Sequence, residues 1–149
     1  MYHAVKSDFE KVKEIFYLHK KWFPHVRTDY MKRMIAKKNL ILENDVVITY
    51  NLYKRKQKIG DVQAFKGDCI LHQIVAKTKG TASDVLQRFF KFVNHNPLGR
   101  RVYLSVRSDN EMAKNFYLKN NMKLIGKTSW SKGTLPGDVF VYDPWTYET

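Results

Sequence analysis

The sequence predicts an α/β fold: one domain over residues 1–149, built on a mixed, mostly antiparallel sheet with a central parallel strand pair and about four flanking helices. Apolar residues switch along the chain between helical spacing, as in Val85, Leu86, Phe89, Phe90 and Val93, and strand-like runs, as in Val102–Val106. In the middle of the chain the order is strand, helix, strand, which predicts a parallel pair. Hairpin signals on either side predict antiparallel flanks. The hydrophobic share of 44% against 28% charged residues is enough for a packed core, and 149 residues lie near the usual size of one domain.

The elements follow in order. An extended start at Tyr2–Val5 leads to Ser7 and, three residues on, Glu10, the pattern of a capping box for a first helix carrying Phe9, Val12, Ile15, Phe16 and His19. Pro24 ends that helix. An aromatic loop, Trp22-Phe23-Pro24-His25, precedes a second helix capped by Thr28 or Asp29 and carrying Tyr30, Met31, Met34 and Ile35. Leu40–Leu42, an Asn44-Asp45 turn and Val46–Tyr53 form a hairpin. Lys54–Lys58 is too charged to be buried and reads as an exposed loop. A strand over about Asp68–Ala76 is apolar enough to be central. After Lys77–Ser83 a helix runs to about Asn94–Asn96, with Pro97 and Gly99 as stop signals. Then come the strand Val102–Val106, a helix capped by Asp109 or Asn110, and strands at Lys123–Trp130 and Val139–Tyr142 around a Gly133–Gly137 connection.

The 27 Lys and Arg residues outnumber 14 Asp and Glu, a formal charge of +13. Residues 1–60 hold 14 basic and 6 acidic residues and nothing basic follows Lys132, so the positive field is not a basic tail. A pI near 9.8 suits a polyanionic macromolecule, an anionic cofactor or substrate, or simple solubility. One cysteine, Cys69, closes no internal disulfide and points to a reducing, cytoplasmic setting. No run approaches the ~18 apolar residues of a membrane span. His3, His19, His25, His72 and His95 form no metal-binding spacing, so no metal site is expected. No Gly-x-Ser-x-Gly elbow is present, and Cys69 on an apolar strand reads as inert.

The chemistry centres on Lys77-x-x-Gly80-x-Ala82. A strand that delivers a Gly-containing basic loop onto a helix N-terminus presents free backbone N–H groups and a positive dipole end, which suits a phosphate or pyrophosphate. Lys77 and Lys79 add full charges. An ordinary βα turn with Thr81 or Ser83 as N-cap is the competing reading. Walker and dinucleotide-binding glycine spacings are both absent.

Downstream, Asn110-x-x-Ala113-x-x-x-Tyr117-x-Lys119, after a strand and before Asn121-Met122 and a further strand, resembles the second signature of the GCN5-related N-acetyltransferases (GNAT), Asn-x-x-Ala-x-x-x-Tyr-x-Lys-x-Gly-Phe. Lys77-x-x-Gly80-x-Ala82 resembles that family's pyrophosphate signature, Gln/Arg-x-x-Gly-x-Gly/Ala. Residues 68–126 carry the likeness best. Lys77 stands in place of Gln or Arg and Asn121-Met122 in place of Gly-Phe.

The resemblance implies a sheet splayed around a cofactor site and the direct transfer of an acetyl group from acetyl-CoA, or a related acyl-CoA, to an amine. It implies that Lys77, Lys79, Gly80, Thr81 and Ala82 hold the pyrophosphate, that the strand edge at Ile74 and Val75 pairs with the pantetheine, and that Asn110 and Ala113 flank the cofactor. Tyr117 then sits by the thioester sulfur and protonates the thiolate; a phenol of pKa ~10 suits that task. Lys114 or Lys119 would face the CoA phosphates. A base must take a proton from the amine: His72 is the first candidate, with Glu43 and Asp61 as alternatives. Trp22–His25 with Tyr30 would build the acceptor pocket, or else staple the helices to the core. The expected partners are acetyl-CoA and an amine acceptor, with nucleic acid or another acidic macromolecule open and no membrane; the chain would be a monomer or homodimer. The competing function is a basic nucleic-acid-binding or nucleic-acid-modifying protein, with Lys54–Lys58 and the first helices on phosphates.

Overall fold

The computed structural model describes residues 1–94 and 100–145. The helices are α1 (Phe9–Tyr17), α2 (Thr28–Ala36), α3 (Ala82–Val93) and α4 (Glu111–Lys119). The strands are β1 (Leu40–Glu43), β2 (Val46–Leu52), β3 (Gln57–Ile59), β4 (Val62–Ala64), β5 (Cys69–Ala76), β6 (Val102–Arg107), β7 (Lys123–Trp130) and β8 (Leu135–Tyr142). The main sheet has the order β1-β2-β5-β6-β8-β7, and β3 and β4 form a separate two-stranded sheet. β1/β2, β6/β8 and β7/β8 are antiparallel, whereas β5/β6 is parallel. The predicted mixed sheet with a central parallel pair and four helices is therefore the architecture found. The parallel ladder consists of Cys69↔Val102 and Ile70↔Tyr103.

Contacts group the chain into two compact units, one of Met1–Tyr50 with His72–Phe89 and one of Asn51–Leu71 with the chain from Phe90 onward. In the first, Val12, Ile15 and Phe16 of α1 pack with Met31, Met34 and Ile35 of α2 and with Leu40, Leu42, Val47 and Val75. These are the positions that the 3.6 spacing singles out. The Asn44-Asp45 turn has both residues at positive φ, +48° and +58°, as a two-residue hairpin of this hand requires. In the second unit Ile59, Ala64, Tyr103, Val139 and Val141 form a core cluster, and Phe90 stacks on Tyr142 at 4.0 Å.

Four local expectations are corrected. Ser7 and Glu10 do not cap α1; a 3-10 turn, Lys6–Asp8, runs into the helix, and the Asp8 carboxylate accepts from the backbone N–H of Val5 at 2.8 Å and from the Tyr2 hydroxyl at 2.7 Å. Neither Thr28 nor Asp29 caps α2: Thr28 is already its first helical residue, after an extended Arg27. The charged stretch 54–58 is only partly loop, because Gln57 and Lys58 open β3, whose three residues are too few to show a pattern. β8 begins at Leu135, inside the Gly133–Gly137 connection the breakers suggested. Pro136 and Gly137 are absorbed into the β7/β8 register opposite Ser129 and Thr128, and Gly137 is needed because a Cβ there would collide with the Trp130 ring. Asn96, Pro97, Gly99 and His95 lie outside the described residues; α3 ends at Val93.

Candidate active site

The phosphate-type loop follows β5 in the first unit. Its start is fixed from three sides. The Lys77 N–H donates to the carbonyl of Asp45 at 2.9 Å, the Lys77 ammonium pairs with Glu14 of α1 at 3.1 Å, and His19 Nε2 lies 2.8 Å from the Ala76 carbonyl. Lys11 in turn pairs with Asp45 at 2.6 Å. The loop closes through the Thr81 hydroxyl, which donates to the Thr78 carbonyl at 2.9 Å. Gly80 has φ +96°, a conformation open to glycine and strained for other residues, and no atom lies within 4 Å of where its Cβ would be. Glycine is thus there for the backbone path, which leaves the space in front of it clear. Lys77, Thr78, Lys79 and Gly80 are exposed, and α3 starts two residues on at Ala82. An open, basic loop ahead of a twelve-residue helix fits an anionic phosphate group. Lys79 has no ion-pair partner among the described residues, so the loop retains a free cation even though Lys77 is shared with Glu14.

Along β5 burial alternates. Leu71, Gln73 and Val75 are buried, whereas Ile70, His72, Ile74 and Ala76 share the more open face. His72 is exposed, yet the surrounding chain desolvates its imidazole and lowers its pKa, which keeps it neutral at pH 7. Behind the same strand the Gln73 side chain accepts from the Tyr30 hydroxyl at 2.9 Å and from Thr49 Oγ1, and the Gln73 N–H donates to that Thr49 oxygen at 3.1 Å. Sequence reasoning missed this buried network, because Gln73 and Thr49 stand in otherwise apolar runs.

The second motif lies in the other unit. Asn110 caps α4: its Oδ1 accepts from the Ala113 N–H at 3.2 Å, which satisfies one of the free donors of the helix start. Tyr117, two turns along, is 7% exposed between Phe116 and Phe140, with ring centroids at 5.5 and 5.8 Å. Burial pushes its phenol well above the usual tyrosine value, so Tyr117 is a proton holder at neutral pH and not a base.

Several expected assignments change. Lys114 does not stand open to phosphates. Its ammonium binds the Ser108 carbonyl at 3.0 Å and the carboxylates of Glu111 and Asp138, each at 3.3 Å. Asp138 is a buried hub that also takes Lys127 at 2.6 Å and the Ser108 hydroxyl at 3.0 Å, and these donors hold its carboxyl below the usual range. Glu43 is occupied by Arg88 and by the Tyr2 N–H at 2.7 Å. Asp61 locks the β3–β4 turn to β7, accepting from the Lys127 N–H at 2.9 Å while its own N–H donates to the Lys127 carbonyl at 3.1 Å. Both carboxylates are therefore used structurally. Burial pushes the Cys69 thiol far up, in keeping with an unreactive side chain. Among the described residues no group of three His, Cys, Asp or Glu could hold a metal, and no helix is long and apolar enough to cross a membrane.

No protein-family model and no curated protein matches the chain by sequence. Solved structures do match it. A GNAT-family acetyltransferase from Bacillus cereus is 17% identical with a TM-score of 0.65, over 94% of this chain and 93% of its own. Arabidopsis thaliana NAA60 in complex with acetyl-CoA is 15% identical with a TM-score of 0.68, over 95% and 96%. An N-acetyltransferase from Staphylococcus aureus is 17% identical with a TM-score of 0.68, over the same shares. Likeness at this identity is a likeness of architecture, and it runs nearly end to end: the chain has the fold of the GNAT-family acetyltransferases.

Proposed function

We propose that the protein is an acyl-CoA-dependent N-acetyltransferase that acts on an amine by direct attack. The observation that carries this reading is the loop from Lys77 to Ala82, with Gly80 at φ +96° before α3, on a fold shared with known acetyltransferases. The backbone amides of Gly80, Thr81 and Ala82 with Lys79 would hold the pyrophosphate of acetyl-CoA, and the Ile74–Val75 edge would pair with its pantetheine. Acetyl-CoA supplies an activated acyl group: the amine nitrogen bonds to the carbonyl carbon as the carbon–sulfur bond breaks, one proton leaves the nitrogen and one reaches the sulfur. Tyr117 is the proposed donor of the proton that the sulfur takes; burial keeps that proton on the oxygen throughout the neutral range and makes the phenol a weaker acid than an exposed tyrosine. His72, neutral at pH 7, is the acceptor for the amine proton on the open face of β5. Asn110 serves first as the cap that fixes the start of α4 and hence Ala113 and Tyr117.

The test is calorimetric titration of acetyl-CoA, followed by a thiol assay for CoA release with a panel of amines. Saturable binding and acceptor-dependent release support the reading; heat indistinguishable from dilution at millimolar ligand overturns it.

A further inference from the structure

The β3–β4 hairpin with its flanks, residues 51–68, carries five cations, Lys54, Arg55, Lys56, Lys58 and Lys66, against two carboxylates. All five are exposed, and none has an ion-pair partner among the described residues. Both carboxylates are turned to the backbone instead. Asp61 accepts from the Lys127 N–H at 2.9 Å, and Asp68, 7% exposed, accepts from the Phe65 N–H at 2.9 Å. The hairpin has two unlike faces, because side chains alternate along each strand and register partners share a side. Ile59, Val62 and Ala64 point inward and pack with Tyr103, Val139 and Val141. Lys58 and its partner Gln63 therefore point outward. One step beyond the ladder, Lys56 and Phe65 continue that outer face: the ring is 50% exposed, and the Lys56 ammonium lies 5.9 Å from its centroid. The platform is also held in place. The Asp61 N–H donates to the Lys127 carbonyl at 3.1 Å, and a Cβ on Gly60 would strike that same carbonyl, so the turn is seated directly on β7.

We infer that the outer face of this hairpin binds single-stranded nucleic acid, with Lys54, Arg55, Lys56, Lys58 and Lys66 along the phosphates and one unstacked base against Phe65. Cations that follow the backbone, combined with an open aromatic ring, are what such a ligand needs, and each base offers a π face whatever its identity. An acidic peptide matches the charge but makes no use of the ring at the centre of the patch. A duplex matches the charge too, but its bases are stacked on one another and closed to Phe65. This surface is independent of the acetyl-CoA reading, since its residues belong to the second unit and the Lys77–Ala82 loop to the first.

Fluorescence anisotropy on the full chain tests the inference with four labelled probes: a ten-nucleotide oligothymidine, its abasic counterpart, an oligothymidine–oligoadenosine duplex of the same length, and a ten-residue oligoglutamate. The native chain is compared with F65A, with K56E/K58E, and with K37E/K91E, which changes the net charge equally at the ends of α2 and α3. Oligothymidine is expected to bind best. It should lose about fivefold or more in F65A, while the abasic strand changes less than about twofold. K56E/K58E should cost about tenfold and K37E/K91E less than about twofold. Each cation on a phosphate adds about 0.7 to the slope of log affinity against log salt, so three to five contacts give about −2 to −3.5, and K56E/K58E should make it shallower by about 1.4. Duplex or oligoglutamate binding as tight as oligothymidine, equal losses in the two charge variants, or full affinity in F65A overturns the inference. Circular dichroism of the variants guards against misfolding, and the single variants K56Q and K58Q, each expected to give part of the loss, serve if the double variant does not fold.

Discussion

The ammonium of Lys77 lies 3.1 Å from the Glu14 carboxylate, which ties the mouth of the phosphate-type loop to α1. The pair is roughly half exposed on both sides, so it is worth no more than about 1 kcal/mol, and the lysine is readily drawn to a stronger anion. Glu14→Gln is therefore expected to tighten acetyl-CoA binding, by up to about fivefold, and Lys77→Ala to weaken it by a similar factor. Calorimetry on the two variants checks this; unchanged affinity in both would remove Lys77 from the site.

Tyr117→Phe removes one oxygen from a packed aromatic cluster and leaves the ring contacts with Phe116 and Phe140. The expected result is a fall in kcat of about a hundredfold or more, with acetyl-CoA affinity changed less than about twofold. A matching loss in binding and turnover would mean that the hydroxyl serves the fold and not the reaction.

The His72 pKa lies below its ordinary 6.5 because the charged form is poorly solvated. As a base it is active when neutral, so kcat/KM should rise with pH along a limb centred below 6.5 and stay level above it. His72→Gln is expected to flatten that limb. The same shift has a stability consequence: the unfolded chain binds the proton more readily, so stability present above pH 6.5 declines as pH falls through that value and below. Rate profiles and urea midpoints at pH 5.0 to 7.5 read the two effects separately.

Asp138→Asn strips the charge from a carboxylate that is 1% exposed and bound by Lys114, Lys127 and Ser108. A loss of about 2 kcal/mol is expected, moderated because Lys127 can turn to water. The native carboxyl is held below its ordinary 3.8, so this contribution is present above that pH and lost as pH drops through the lower folded value. Urea denaturation of both forms at pH 7 and pH 3 should show the gap narrow on acidification.

Features with local causes were legible in the sequence. The Asn110 cap, the Asn44-Asp45 turn and the apolar stripes of α1 and α2 depend on residues a few positions apart, and they stand where the residue types put them. Gly80 was legible as a loop glycine, though only its φ of +96° shows that the backbone, not crowding, demands it. What escaped is nonlocal. Glu14 meets Lys77, and Asp61 meets Lys127, only because the fold brings distant segments together, and no spacing rule signals either pair. Glu43 and Asp61 looked available as bases for the same reason: a carboxylate's partners are invisible in a one-dimensional chain. Asp138 sits in a run of breakers, Pro136 and Gly137, that disguised the start of β8.

The most direct test of the account is the titration of acetyl-CoA against the native chain and Gly80→Glu. Glutamate at this position would strain the backbone at φ +96° and set a carboxylate in the open space before α3. Saturable binding to the native chain, with affinity lost at least about tenfold in the variant while the fold is retained by circular dichroism, is the result the account predicts. Binding of equal strength to both, or to neither, would contradict it.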